Sequence, residues 1–184
     1  MPDTPRSLAE VVALLADNTA GDISPQDIRD MLVSLQPPMG GMYFSSAVET
    51  VIATVDTWTK SLGTTTSTGL TSFTMPTNNR LLFTGVSPRH MHIACSMSMI
   101  AAGNNKVLEF GIYHWDASAG SGSMVESSKL QRKVGTGLDV GALALHCDVL
   151  LDENDFLEMH VMNTTDAVNL TLTHAYLFAM GMIV

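Results

Sequence analysis

From residue 47 to residue 184 the chain is a succession of short, threonine-rich and β-branched runs broken by Gly, Asn, Asp and Ser, with no helical period between them. Residues of this kind suit a pleated, half-buried surface, and the breaking residues suit tight turns. Strands are expected at residues 47–57, 80–85, 90–101, 106–115, 140–151, 155–163 and 169–184. Seven strands without intervening helices leave an antiparallel sandwich or barrel as the available architecture.

Alternation within the strands says which face is core. In residues 90–100, Met91, Ile93, Cys95, Met97 and Met99 share one face, and His90, His92, Ala94, Ser96 and Ser98 share the other. Residues 142–151 repeat the pattern, with Leu143, Leu145, Cys147, Val149 and Leu151 on the apolar side. The last strand departs from it. Tyr176, Phe178, Met180, Met182 and Val184 form one face, while Ala175, Leu177, Ala179, Gly181 and Ile183 form the other, so neither face suits water. In an antiparallel sandwich, a strand apolar on both sides implies an outward face covered by another subunit or by the N-terminal segment.

Composition points the same way. The chain has 184 residues, enough for one domain plus an extension. Its mean hydropathy is +0.21, yet no run of eighteen apolar residues exists to cross a bilayer, so membrane insertion is not expected. The formal net charge of −9 has the wrong sign for neutralising phosphates, which excludes nucleic acid as an expected partner. Residues 1–6 do not open a signal peptide, and folding in the cytoplasm is expected. Cys95 and Cys147 each lie in an apolar alternating run and fit small buried hydrophobes, although jelly-roll strands are also able to bring such a pair together as a disulfide. Thirteen methionines have two readings, as filler of each subunit's own core or of gaps between subunits.

The first 36 residues have a different texture. Leu8, Val11, Val12, Leu14 and Leu15 recur at helical spacing, and residues 17–22 then break the helix. Ser24, Pro25 and Asp27 form an N-terminal capping signal for a second helix, with Ile28, Met31, Leu32 and Leu35 on its apolar face. Helices this short are marginal alone. The expected organisation is an anchoring segment over residues 1–36, with Leu8, Val12, Leu15, Ile28, Met31 and Leu32 as its docking residues, a Pro/Gly linker over 37–44, and a β domain over 45–184.

Three stretches carry a resemblance: Asn104-Asn105-Lys106-Val107-Leu108-Glu109-Phe110-Gly111-Ile112-Tyr113, then residues 132–142, then Leu151-Asp152-Glu153-Asn154-Asp155-Phe156-Leu157-Glu158. They resemble the jelly rolls of phage and large-virus structural proteins, which look like the tumour-necrosis-factor and complement heads. Residues 13–18 with 21–30 resemble a segment at the start of phage head-fibre and tail proteins. Together these cover most of the chain except residues 45–74. The resemblance implies a mainly β, antiparallel jelly-roll sandwich preceded by a short helical hairpin, assembled as a homotrimer with the C-terminal strand near the three-fold axis. It further implies a virion structural protein of decoration, head-fibre or tail-fibre type, made in the host cytoplasm, with other capsid or tail proteins as partners. On this reading Tyr176, Phe178, Met180, Met182, His90 and His92 line the trimer interface.

Chemistry-bearing motifs are sparse. His90 and His92 place two imidazoles on one strand face, as in the metal-dependent cupins, but the glutamate that follows the pair in that family is replaced here by Ser96 and Met97. A cupin-like metalloenzyme is therefore the weaker alternative, and no metal, no cofactor and no catalytic residue are expected. Residues 118–123 read as a flexible Gly-Ser tip, and Gly135-Thr136-Gly137 lacks the lysine of a phosphate loop. Trp115, just before residues 116–122, is the candidate for a ligand or host-receptor contact, because exposed rings stack on sugars; packing under its own loop is the plainer reading.

Overall fold

A computed structural model describes residues 6, 8–14, 23–135 and 139–182. The elements, in chain order, are α1 (Leu8–Leu14), α2 (Pro25–Ser34), β1 (Met39–Ala47), β2 (Glu49–Thr50), β3 (Thr59–Lys60), β4 (Gly63–Thr71), β5 (Phe73–Thr77), β6 (Arg80–Phe83), β7 (Arg89–Ala101), β8 (Lys106–Asp116), β9 (Ser121–Met124), β10 (Leu130–Val134), β11 (Gly141–Leu151), β12 (Phe156–Asn163) and β13 (Leu170–Gly181). The strands form two antiparallel sheets. The first has the order β11-β7-β13-β1-β4 with β2 on β13; the second has the order β10-β8-β12-β6-β5 with β3 on β12 and β9 on β8. This is the mainly β sandwich with short N-terminal helices that the strand pattern implies.

The core lies between the sheets and follows the alternation. Met91, Ile93, Cys95, Met97 and Met99 of β7, Leu145 and Cys147 of β11, and Ala175, Leu177 and Ala179 of β13 are buried against Leu108, Phe110 and Ile112 of β8 and Leu157, Met159 and Val161 of β12. Each such Leu, Ile, Met or Phe contributes about 1.5–3 kcal/mol through removal from water. Both cysteines are free and buried. Five methionines, Met42, Met91, Met97, Met99 and Met159, are in this core, whereas Met180 and Met182 are 42% and 37% exposed.

The structure departs from the sequence reading at several edges. Residues 39–43, expected within the linker 37–44, are the start of β1, paired with β13 from Met39↔Met180 to Tyr43↔Tyr176. The two glycines there serve close packing rather than flexibility: a Cβ on Gly40 would sit 2.8 Å from the Phe73 Cβ. The run 47–57 is not one strand. β1 ends at Ala47, and beyond the two residues of β2 the chain is loop, with Val51 and Val55 exposed and Ile52 alone buried. β-Branched composition is not enough where no neighbouring strand supplies a ladder. Strands β4, β5 and β10 form where none was expected, β4 and β10 at the ends of their sheets' strand orders and β5 at the other end of the second. The Gly-Ser tip is the far half of a hairpin: Asp116 accepts from the Ala119 N–H and the Ser118 hydroxyl, Gly120 takes a positive φ of 62°, and β9 returns along β8.

In α2 the capping box is formed. The Asp27 N–H donates to Ser24 Oγ (3.2 Å), and Asp27 Oδ2 accepts from the Ser24 hydroxyl (2.7 Å) and from the Ser24 N–H (2.8 Å), which together hold the Asp27 carboxyl below the ordinary range. The helices pack mainly on each other. Arg6, ahead of α1, is tied to α2: its Nε donates to Oδ2 of Asp30, 1% exposed, at 2.9 Å, and its backbone N–H donates to Ser34 Oγ at 2.8 Å. Several large apolar side chains of this segment stay open to water: Val12, Ile28, Leu32 and, just past α2, Leu35 are 60%, 40%, 57% and 53% exposed. Met31 is half-buried, and Leu15 lies outside the described residues, as do Ile183 and Val184 at the other end of the chain.

Candidate functional site

The outward face of the first sheet is built by register. Across β11, β7, β13 and β1 one row reads Asp148, His92, Met180 and Met39; the next reads His146, Ala94, Phe178 and Gly41; the next reads Ala144, Ser96, Tyr176 and Tyr43. Tyr176, Met180, Met182 and Tyr43 are about two-fifths exposed, and Phe178 is half-buried with its ring stacked on Tyr176 at 6.4 Å. All four apolar candidates named from the last strand therefore share one solvent-facing surface. It continues to Leu150 on β11, 46% exposed and opposite His90.

His90 and His92 lie on this same face at its β11 side. His92 Nδ1 is 3.0 Å from Asp148 Oδ1, and its Nε2 is 3.1 Å from Nδ1 of His146, with the two rings stacked at 5.3 Å. Both ring nitrogens of His92 are thus engaged within the chain. Among the described residues no group of three His, Cys, Asp or Glu side chains is gathered to hold a metal ion. The alternation that places the histidines was readable in the sequence; the partners Asp148 and His146 required the β11–β7 pairing.

Trp115 is on the other sheet, near the end of β8 as the expected strand over 106–115 has it, and faces outward. Its ring stacks on Phe156 of β12 at 5.7 Å and 6°, and Tyr113, two residues earlier, stacks on His160 at 4.7 Å. These four rings, with Arg80 and Glu158, line a recess of about 560 Å³ open to solvent. Its floor is Glu158, 4% exposed. Glu158 Oε1 accepts from Lys60 Nζ at 2.7 Å and from Arg80 Nε at 2.7 Å, and Oε2 accepts from His160 Nε2 at 3.2 Å. Burial pushes this carboxyl up, but the hydrogen bonds from His160, Lys60 and Arg80 outweigh it and hold the group at about 2. Glu158 and His160 share a strand face by counting along β12, whereas Lys60 and Arg80 arrive from β3 and β6, 98 and 78 positions away along the chain, and no local pattern announces them.

Similarity to known proteins is confined to shape. No family model matches the chain, and no curated protein sequence does. Among solved structures, murine APRIL at pH 5.0 superposes with a TM-score of 0.56 at 6% identity, covering 80% of this chain and 100% of that one. The Eiger TNF of S. frugiperda superposes with a TM-score of 0.56 at 9% identity, covering 80% and 94%. The fold is a tumour-necrosis-factor-like jelly roll; at such low identity the likeness extends no further.

Proposed function

We propose that this protein is a non-catalytic structural component of a virus particle, a homotrimeric decoration or fibre head whose subunits meet through the outward face of the first sheet. The observation that carries the reading is the apolar surface made by Tyr176, Phe178 and Met180 of β13, Met182 just beyond it and Tyr43 of β1, facing water on a sheet whose other side is already core. Contiguous apolar surface of this kind on a soluble domain marks an interface, and the tumour-necrosis-factor-like fold favours a second and third copy of the same chain as its cover. A three-fold arrangement would bring three copies of the C-terminal strand together.

The helical hairpin is the attachment segment in this reading. Val12, Ile28, Leu32 and Leu35 point away from the chain's own body, and an apolar helix stripe needs a partner to be stable. Other capsid or tail proteins are the partners assigned to it. The virion assignment rests on the resemblance of residues 13–30 to phage attachment segments and of the β domain to phage jelly rolls. Image reconstruction of virus particles purified from cells that make this chain tests it: three-fold knobs held by helical density are expected, and particles without the chain would overturn the assignment.

A further inference from the structure

We infer that the recess on the second sheet is a binding site for a saccharide that carries a carboxylate. Three features decide the class. The walls are rings: the stacked pairs Trp115–Phe156 and Tyr113–His160 present aromatic surface of the kind that packs on the C–H face of a sugar. The volume of about 560 Å³ is that of a small-molecule site. The floor holds one carboxylate against two permanent cations, because Lys60 and Arg80 both bond the single oxygen Oε1 of Glu158.

That balance leaves one positive charge in excess, at a spot on a chain whose net charge is −9. The side chains of Lys60 and Arg80 are 31% and 34% exposed, so the excess is open to a ligand. An anion is therefore favoured over a cation. The place where a ligand ammonium would rest is already taken, since the Arg80 guanidinium lies 3.8 Å over the Phe156 ring. Among the described residues no hydrogen bond is formed by Trp115 Nε1 or Tyr113 Oη, which leaves both free as donors to the hydroxyls or the carboxylate of a sugar.

The recess and the proposed assembly face are on opposite sheets, so trimer formation and saccharide binding succeed or fail separately. Titration of the full-length protein with sialyllactose and with lactose, followed by NMR chemical shifts or by heat, is the test. Sialyllactose is expected to bind at least about tenfold more tightly than lactose, and Trp115→Ala is expected to lower that affinity about tenfold or more while its circular dichroism spectrum stays that of the folded protein. Equal binding of the two sugars, or no binding of sialyllactose up to about 10 mM, overturns the inference. So does a Glu-containing peptide that binds as well as sialyllactose, since the site would then read carboxylates rather than sugars. The wild-type comparison decides even if Trp115→Ala does not fold, and Tyr113→Phe, which removes one donor and keeps the ring, is expected to weaken sialyllactose by several-fold.

Discussion

Replacing Glu158 by Gln removes the one negative charge that Lys60, Arg80 and His160 share, and the cost follows from the geometry. Breaking a buried ion pair by removing one partner costs about 3–5 kcal/mol. Here the carboxylate is buried but the two cations are about a third exposed and regain water, and Gln keeps one acceptor oxygen. A loss of roughly 1–3 kcal/mol is expected near neutral pH. The acid response gives an independent check. The folded carboxyl titrates at about 2 against an ordinary 4.5, so at about 1.4 kcal/mol per unit its ionisation contributes at most on the order of 3 kcal/mol. Because the folded value is the lower one, this contribution is complete above about pH 4.5 and is lost as the pH falls through about 2. Urea unfolding of wild type and Glu158→Gln, at one protein concentration, should show a stability gap that shrinks to roughly a quarter between about pH 7 and pH 2.5. A gap below about 0.5 kcal/mol near neutral pH, or one that does not change with acid, would refute the reasoning.

Gly40→Ala places a methyl 2.8 Å from the Phe73 Cβ, and calorimetry should show a destabilisation of about 1–3 kcal/mol from overpacking. Cys95 and Cys147 are free and buried, and burial pushes Cys147 up to about 11; a thiol reagent near pH 8 should label the folded protein far more slowly than the urea-unfolded one, and equal rates would show that the strands do not enclose them. The double substitution Ile28→Ser with Leu32→Ser changes two exposed side chains, so unfolding should shift by no more than about 0.5 kcal/mol while incorporation into particles, measured by co-sedimentation, is lost.

The parts of the fold that were legible in the sequence are those where one face is core and the other is not. In β7 and β11 the period of two separates Met91, Ile93 and Cys95 from His92, Ala94 and Ser96, and the structure buries the first set. The capping signal at Ser24 and Asp27 is equally local, and the helix starts where it says. What failed to show was edge structure. β4, with the sequence GTTTSTGLT, has a mostly exposed burial pattern and exists because β1 offers it a ladder from Met39↔Thr71 to Ala47↔Gly63. Linker composition misled for a related reason: Gly40 and Gly41 are needed where β1 passes Phe73 and Tyr176, and a side chain there would collide. The two candidate surfaces divide in the same way. Tyr176, Phe178 and Met180 fall on one face by counting along a single strand, whereas the Lys60–Glu158–Arg80 cluster joins β12 to two strands, β3 and β6, whose residues lie 98 and 78 positions from Glu158.

The central claim is that the outward face of β13 is covered by other copies of this chain, and the mass in solution tests it most directly. Light scattering of the purified protein at micromolar concentration should give three chains of 19.7 kDa each. Met180→Asp, which places a charge on that face at an exposed position opposite His92, should give one chain with an unchanged circular dichroism spectrum. A wild-type mass of a single chain, or a trimer that Met180→Asp leaves intact, would contradict the account.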